Sequence, residues 1–126
     1  MSERMADGAD ELRTAVDRLI GQVMYWTPPR WRAASGVFGR TRADLVHDLV
    51  QRIADLAADA EGQPRRTVPR LENDLALPDQ LVVVTRDLLR ASPKQQTMTV
   101  ARGWVARTRE AFTGNPALVH RESRDG

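Results

Sequence analysis

Thr41-Arg42-Ala43-Asp44-Leu45-Val46-His47-Asp48-Leu49-Val50-Gln51-Arg52-Ile53-Ala54-Asp55-Leu56-Ala57-Ala58-Asp59-Ala60-Glu61 is the stretch that decides the fold. At 100° per residue, Leu45, Val46, Leu49, Val50, Ile53, Leu56, Ala57 and Ala60 fall within one arc of about 140°, the pattern of an amphipathic helix. Thr41-x-x-Asp44 has the form of a capping box, with aspartate standing where glutamate is usual. Gly62 occupies the place of a C-terminal glycine, and Pro64 prevents the helix from continuing. A helix over 42–61 with one apolar side needs partners to cover it.

The pattern on its N-terminal side supplies the first. Over residues 9–26, Leu12, Val16, Leu19, Ile20 and Val23 share a face, with Asp10, Thr14, Asp17, Arg18 and Gly21 opposite. Pro28-Pro29 ends this helix, because a proline pushes the residue before it out of the α region. Thr27 is placed to cap a short helix over 28–35, with Pro28 at its first position and Gly36 as its stop.

On the C-terminal side, residues 63–77 form a long connection with two prolines and no clear period. Connections of this length in compact domains pack or work. Leu71, Leu75 and Leu77 predict that this one lies across the bundle. Pro78-Asp79-Gln80 opens a third pattern over 78–91, with Leu81, Val82, Val84, Leu88 and Leu89 on one side. The run Leu81-Val82-Val83-Val84-Thr85 is β-branched, but no second strand-like run exists to pair with it, so helix is the expectation. Ser92-Pro93-Lys94-Gln95 has the form of a cap and box opening a fourth helix over 93–113, with Val100, Trp104, Thr108 and Ala111 central on its apolar face. The short link predicts that the third and fourth helices form an antiparallel hairpin.

The fold class is therefore all-α: four main amphipathic helices in an irregular bundle, one domain over 1–116, and a tail over 117–126. A chain of 126 residues, 41% hydrophobic and 29% charged, suits one soluble core. Without cysteine there are no disulfides and no thiolate chemistry. No apolar run suits a signal peptide or a membrane span, which gives a cytoplasmic protein as the expectation.

Charge is unevenly placed. The net formal charge is +2 and the sequence pI about 9.9. Residues 25–42 carry four arginines and no acid, 43–62 one base against five acids, and 63–70 three arginines alone. Asp44, Asp48, Asp55 and Asp59 fall within roughly 60° on the second main helix, a stripe that reads as a solvated face balanced by an Asp48–Arg52 pair. A lone helix cannot wrap a cation. Asp44-x-x-His47 lacks the second pair that a di-iron bundle needs, since Ala117 stands three residues before the only other histidine, His120. The serines lie in terminal, loop or capping positions, and Gly36-Val37-Phe38-Gly39-Arg40-Thr41 lacks both the Walker lysine and the dinucleotide spacing. No catalytic residue, metal site or cofactor is expected.

What remains is Tyr25-Trp26-Thr27-Pro28-Pro29-Arg30-Trp31-Arg32 and its continuation to Arg42. Trp26 belongs to the apolar side of the first helix. Arg30, Trp31, Arg32, Phe38 and Arg40 are the candidate contact residues, because tryptophan and arginine dominate interface energetics. The expected function is a non-enzymatic protein–protein interaction module, self-associating as a homodimer or gripping an acidic partner. Val83, Leu71 and Leu75 offer surplus apolar surface. The alternative is nucleic acid bound through the same arginines, with exposed rings stacking on bases.

Overall fold

In a computed structural model, which describes residues 2–113 and their side chains from Gly8 onward, the chain forms five α-helices and one 3₁₀ turn. They are α1 (Ser2–Val23), α2 (Pro28–Arg32), α3 (Arg42–Glu61), the 3₁₀ turn Asp74–Ala76, α4 (Leu77–Arg90) and α5 (Gln95–Phe112). No strand occurs among the described residues, and the β-branched run sits inside α4. The fold is all-α. The expected tail, 117–126, lies outside the described residues.

Local chemistry explains most of the boundaries. Thr41 accepts from the Asp44 N–H at 3.0 Å and Asp44 accepts from the Thr41 N–H at 2.9 Å, so the capping box opens α3 as its sequence predicts. Gly62 adopts φ +69, the left-handed conformation that ends a helix and favours glycine. α1 stops at Val23 rather than 26, and α2 stops at Arg32 because Ala33 and Ala34 turn extended to bridge Thr41. Thr27 holds the cap position of α2, but its side chain makes no capping bond.

The start of α5 differs from its expected cap. Ser92 lies at φ +52 and caps nothing, Pro93 is buried, and the helix begins only at Gln95. The reason is the route of the chain. α4 packs chiefly on α3 and α5 chiefly on α1, with further contacts between α3 and α5 and between α1 and α4. α4 and α5 therefore stand on a diagonal and scarcely touch, so the antiparallel hairpin does not form. Extra extended residues are needed to cross the bundle end.

Cross-helix contacts fix the directions. Gly8 backs onto the Gln95 side chain with no room for a Cβ, Arg102 pairs with Glu11 at 2.8 Å, and Arg109 donates to Gln22 at 3.0 Å. α1 and α5 thus run parallel. α3 and α4 also run parallel, which explains the long connection: residues 62–76 must return along the whole of α3. A 20-residue helix is about 30 Å long, a span that some ten extended residues cover.

That return strap is held by side chains of α3. Asp59 takes Arg65 at 2.7 Å. The Gln51 amide accepts from the Val68 N–H at 2.7 Å and donates to the Arg66 carbonyl at 3.0 Å, as a neighbouring strand would. The His47 ring meets the Val68 carbonyl at 3.1 Å, and Asp44 takes Arg70 at 3.0 Å. Two of the four aspartates of the acid stripe, Asp44 and Asp59, therefore clamp the strap. Asp48 pairs with Arg40 instead of Arg52, whose guanidinium sits 5.5 Å above the Trp104 ring.

The core joins Leu12, Val16, Leu19 and Val23 of α1 to Val46, Leu49, Val50 and Ile53 of α3 and Leu77, Leu81 and Leu88 of α4. On α5 the buried residues are Met98, Ala101, Val105 and Phe112. The apolar face is thus rotated from the expected one, leaving Val100 exposed and Trp104 half-buried.

Candidate interaction surface

The C-terminal ends of α1 and α5, the N-terminal ends of α3 and α4, and all of α2 meet at one end of the bundle. Trp26 stacks edge-on against Trp31 with centroids 5.0 Å apart, and against Phe112 at 4.9 Å. Such geometry suits ring quadrupoles and adds to the area buried. Trp31 is fully buried. This corrects the expectation that it is a contact residue: the one-and-a-half turns of α2 point its indole inward as the plug of the bundle, leaving no surface to offer. Arg42 donates to the Phe112 carbonyl at 3.2 Å, satisfying an orphan acceptor of the last turn of α5, and stacks 5.2 Å from the Trp26 ring.

The other expected contact residues divide. Arg40 is engaged by Asp44 and Asp48, so it builds the site rather than presenting to a partner. Arg30 stacks over Trp26 at 5.5 Å while staying exposed, and Arg32 is exposed. Neither has a carboxylate partner among the described residues. Phe38 is 92% exposed.

Phe38 is held out by a tightly built loop. Ser35 is buried, and its hydroxyl accepts from the Val37 N–H at 3.0 Å and lies 2.9 Å from the Arg40 carbonyl, to which it donates. The Ser35 N–H donates to the Arg40 carbonyl at 2.9 Å, and Gly39 turns the chain at φ +76. The Gly36 N–H donates to the Ala111 carbonyl at 2.6 Å, anchoring the loop to α5. The phenyl ring thus stands on a rigid base.

Other apolar groups surround it. Tyr25 is 83% exposed, and Met24, Val37, Leu71 and Leu75 are about half exposed. All lie at this end, since Leu71 follows the Arg70–Asp44 tie and Leu75 belongs to the turn that packs against α2. Of the large apolar side chains exposed among the described residues, only Val83 and Val100 lie elsewhere. Met24 escaped the sequence reading, and Tyr25 and Val37, inside the quoted stretch, were not among its contact residues. The usable signal was the helical phase: Tyr25 falls two residues from Val23 and off the buried stripe.

The charges at this end divide into paired and free groups. Asp44 is held below the ordinary aspartate range, chiefly by the Thr41 N–H and then by Arg70. Asp48 and Asp74 are taken by Arg40 and Arg70. Glu72 of the strap and Asp79 in the first turn of α4 have no ion-pair partner among the described residues, and neither do Arg30 and Arg32. Among the described residues no group of three or more His, Asp or Glu side chains is placed to hold a metal ion, and no helix is long and apolar enough to cross a membrane.

Comparison with protein-family models, with curated proteins and with solved structures finds no match to this chain.

Proposed function

We propose that this chain is a non-enzymatic protein-interaction module whose α2 end docks an acidic protein partner. The observation that supports the reading is the gathering of exposed apolar side chains around Arg30 and Arg32 at one end. Exposed apolar patches with a polar rim are the usual mark of a protein-docking site. Phe38 and Tyr25 are exposed aromatic side chains of the kind that carry binding energy, and the pre-built loop under Phe38 lowers the ordering cost of association.

Arg30 and Arg32 favour a partner that brings carboxylates around an apolar segment, because such groups pair with the two exposed guanidinium groups directly. Nucleic acid is the second reading, because guanidinium and aromatic groups also suit phosphates and bases. Only two uncompensated arginines here serve a surface dominated by apolar groups, whereas nucleic-acid interfaces are strongly cationic.

The test is capture of partners with the wild-type chain and with the double variant Tyr25→Ser, Phe38→Ser, followed by calorimetry on each purified candidate. A protein whose affinity falls at least about tenfold in the double variant is the expected result. Undiminished binding by the double variant overturns it. An oligonucleotide retained at low salt, with affinity falling steeply as salt rises, supports the second reading instead.

A further inference from the structure

A groove of about 790 Å³ lies between the parallel helices α1 and α5. Two cross-helix rungs cross it, Glu11–Arg102 and Gln22–Arg109. Ala15, Gly103, Val105 and Ala106 line it among a majority of polar and charged side chains. Nothing among the described residues accounts for Gly103. It stands in the middle of an 18-residue helix, where glycine is the poorest former after proline. A Cβ built on it would meet only the tip of Arg107, at 3.9 Å. A bare backbone at that point leaves room for another element to approach closely.

The charges around the groove indicate what would fill it. Asp10 is engaged by Arg13 at 3.0 Å and Glu11 by Arg102 at 2.8 Å. Arg18 has no carboxylate partner among the described residues, and Arg109 reaches only the neutral amide of Gln22. The uncompensated charge of the groove is therefore positive and lies toward its Gln22 end. That end points toward the C-terminal end of α1, which Met24 and Tyr25 follow in the chain.

We infer that the α1–α5 groove receives an acidic amphipathic helix of the partner protein, with small apolar residues over Gly103 and Ala106 and carboxylates on Arg18 and Arg109. The inference rests on the interaction reading above and adds the shape and charge of the partner. The C-terminal end of the incoming helix lies at the Arg18–Arg109 end, because its macrodipole is negative there.

The probe is a synthetic 18-residue helical peptide with an alanine–leucine stripe flanked by glutamates, titrated into the full chain and followed by amide and methyl NMR. Its counterpart carries lysine in place of every glutamate. The glutamate peptide is expected to shift Ala15, Gly103 and Ala106 and to bind about tenfold more tightly than the lysine peptide. Gly103→Leu fills the groove and improves helix propensity, so it is expected to fold and to abolish those shifts. Arg18→Ala with Arg109→Ala is expected to remove the preference for glutamate. Equal binding of both peptides, full binding by Gly103→Leu, or no shift in the groove overturns the inference. Shifts confined to Tyr25 and Phe38 overturn it while leaving the α2 surface standing. A dimer in light scattering that Gly103→Leu converts to a monomer assigns the groove to a second copy and overturns it as well.

Discussion

Arg70 donates to Asp44 at 3.0 Å and so ties the far end of the strap to the first turn of α3, 26 positions earlier in the chain. The same carboxylate accepts the Thr41 N–H at 2.9 Å, the main cause of its lowered pKa. A carboxyl with a depressed folded pKa stabilises the fold above its unfolded value, about 3.9 for aspartate. That contribution is lost as pH falls through the lower folded value. Asp59, lowered by Arg65, acts in the same sense. Thermal melts are expected to be flat above about pH 5 and to drop below about pH 4. Asp44→Asn keeps a capping oxygen but loses the charge, so its plateau sits about 1 kcal/mol lower and its acid drop is shallower. An equally steep acid drop in both proteins would remove Asp44 from the account.

Gln51 carries the middle of the strap. Its amide group bonds the Val68 N–H, the Arg66 carbonyl and Asp55, while the strap residues themselves are nearly all exposed. Little apolar burial holds this segment, so polar ties decide its local stability. Gln51→Ala is expected to cost about 1–2 kcal/mol and to speed hydrogen exchange at Val68 at least tenfold. Exchange in the α1 and α5 core should change far less. Unchanged protection at Val68 would show that the His47 and Arg70 ties suffice without it.

Trp31 and Phe38 stand seven residues apart in one Arg-rich stretch, yet one is fully buried and the other 92% exposed. Truncation should separate them. Trp31→Ala removes the plug of the bundle end and is expected to cost about 3–5 kcal/mol. Trp31→Phe is milder, since the indole N–H finds no acceptor among the described residues and its loss offsets part of the lost volume. Phe38→Ser is expected to change stability by no more than about 0.5 kcal/mol. Chemical denaturation checks all three, and a large loss in Phe38→Ser would mean that the ring packs rather than displays.

The legible parts of the fold were those governed by local chemistry. The stripe and box of α3 and the glycine at its end depend on neighbours within four residues. The phase of α5 was not legible, because its buried face depends on packing beside α1, a choice made by the path through Ser92 and Pro93. The role of the acid stripe was hidden for a like reason. Asp44 and Asp59 find Arg70 and Arg65 only because two parallel helices force the chain to double back. At the candidate site the sequence marked the right corner, but five residues of helix were too few to tell which side of α2 Trp31 would face.

The loop that carries Phe38 offers the sharpest test of whether its rigidity serves binding. Ser35 is buried and bonds both limbs of the turn, and Gly39 holds the left-handed conformation between them. Ser35→Ala leaves the Val37 N–H without its acceptor and is expected to cost about 1–2 kcal/mol. Gly39→Ala strains the turn, although space around its Cβ is open, and is expected to cost about 1 kcal/mol. Neither residue carries exposed apolar surface, so neither contributes directly to a contact. If pre-organisation of the phenyl ring matters, both variants should weaken partner binding about three- to tenfold, through ordering cost rather than lost area. Calorimetry would then show a more unfavourable binding entropy, with the heat-capacity change close to wild type. Wild-type affinity in both variants would mean that the ring binds as well from a loosened loop, and that the buried serine serves stability alone.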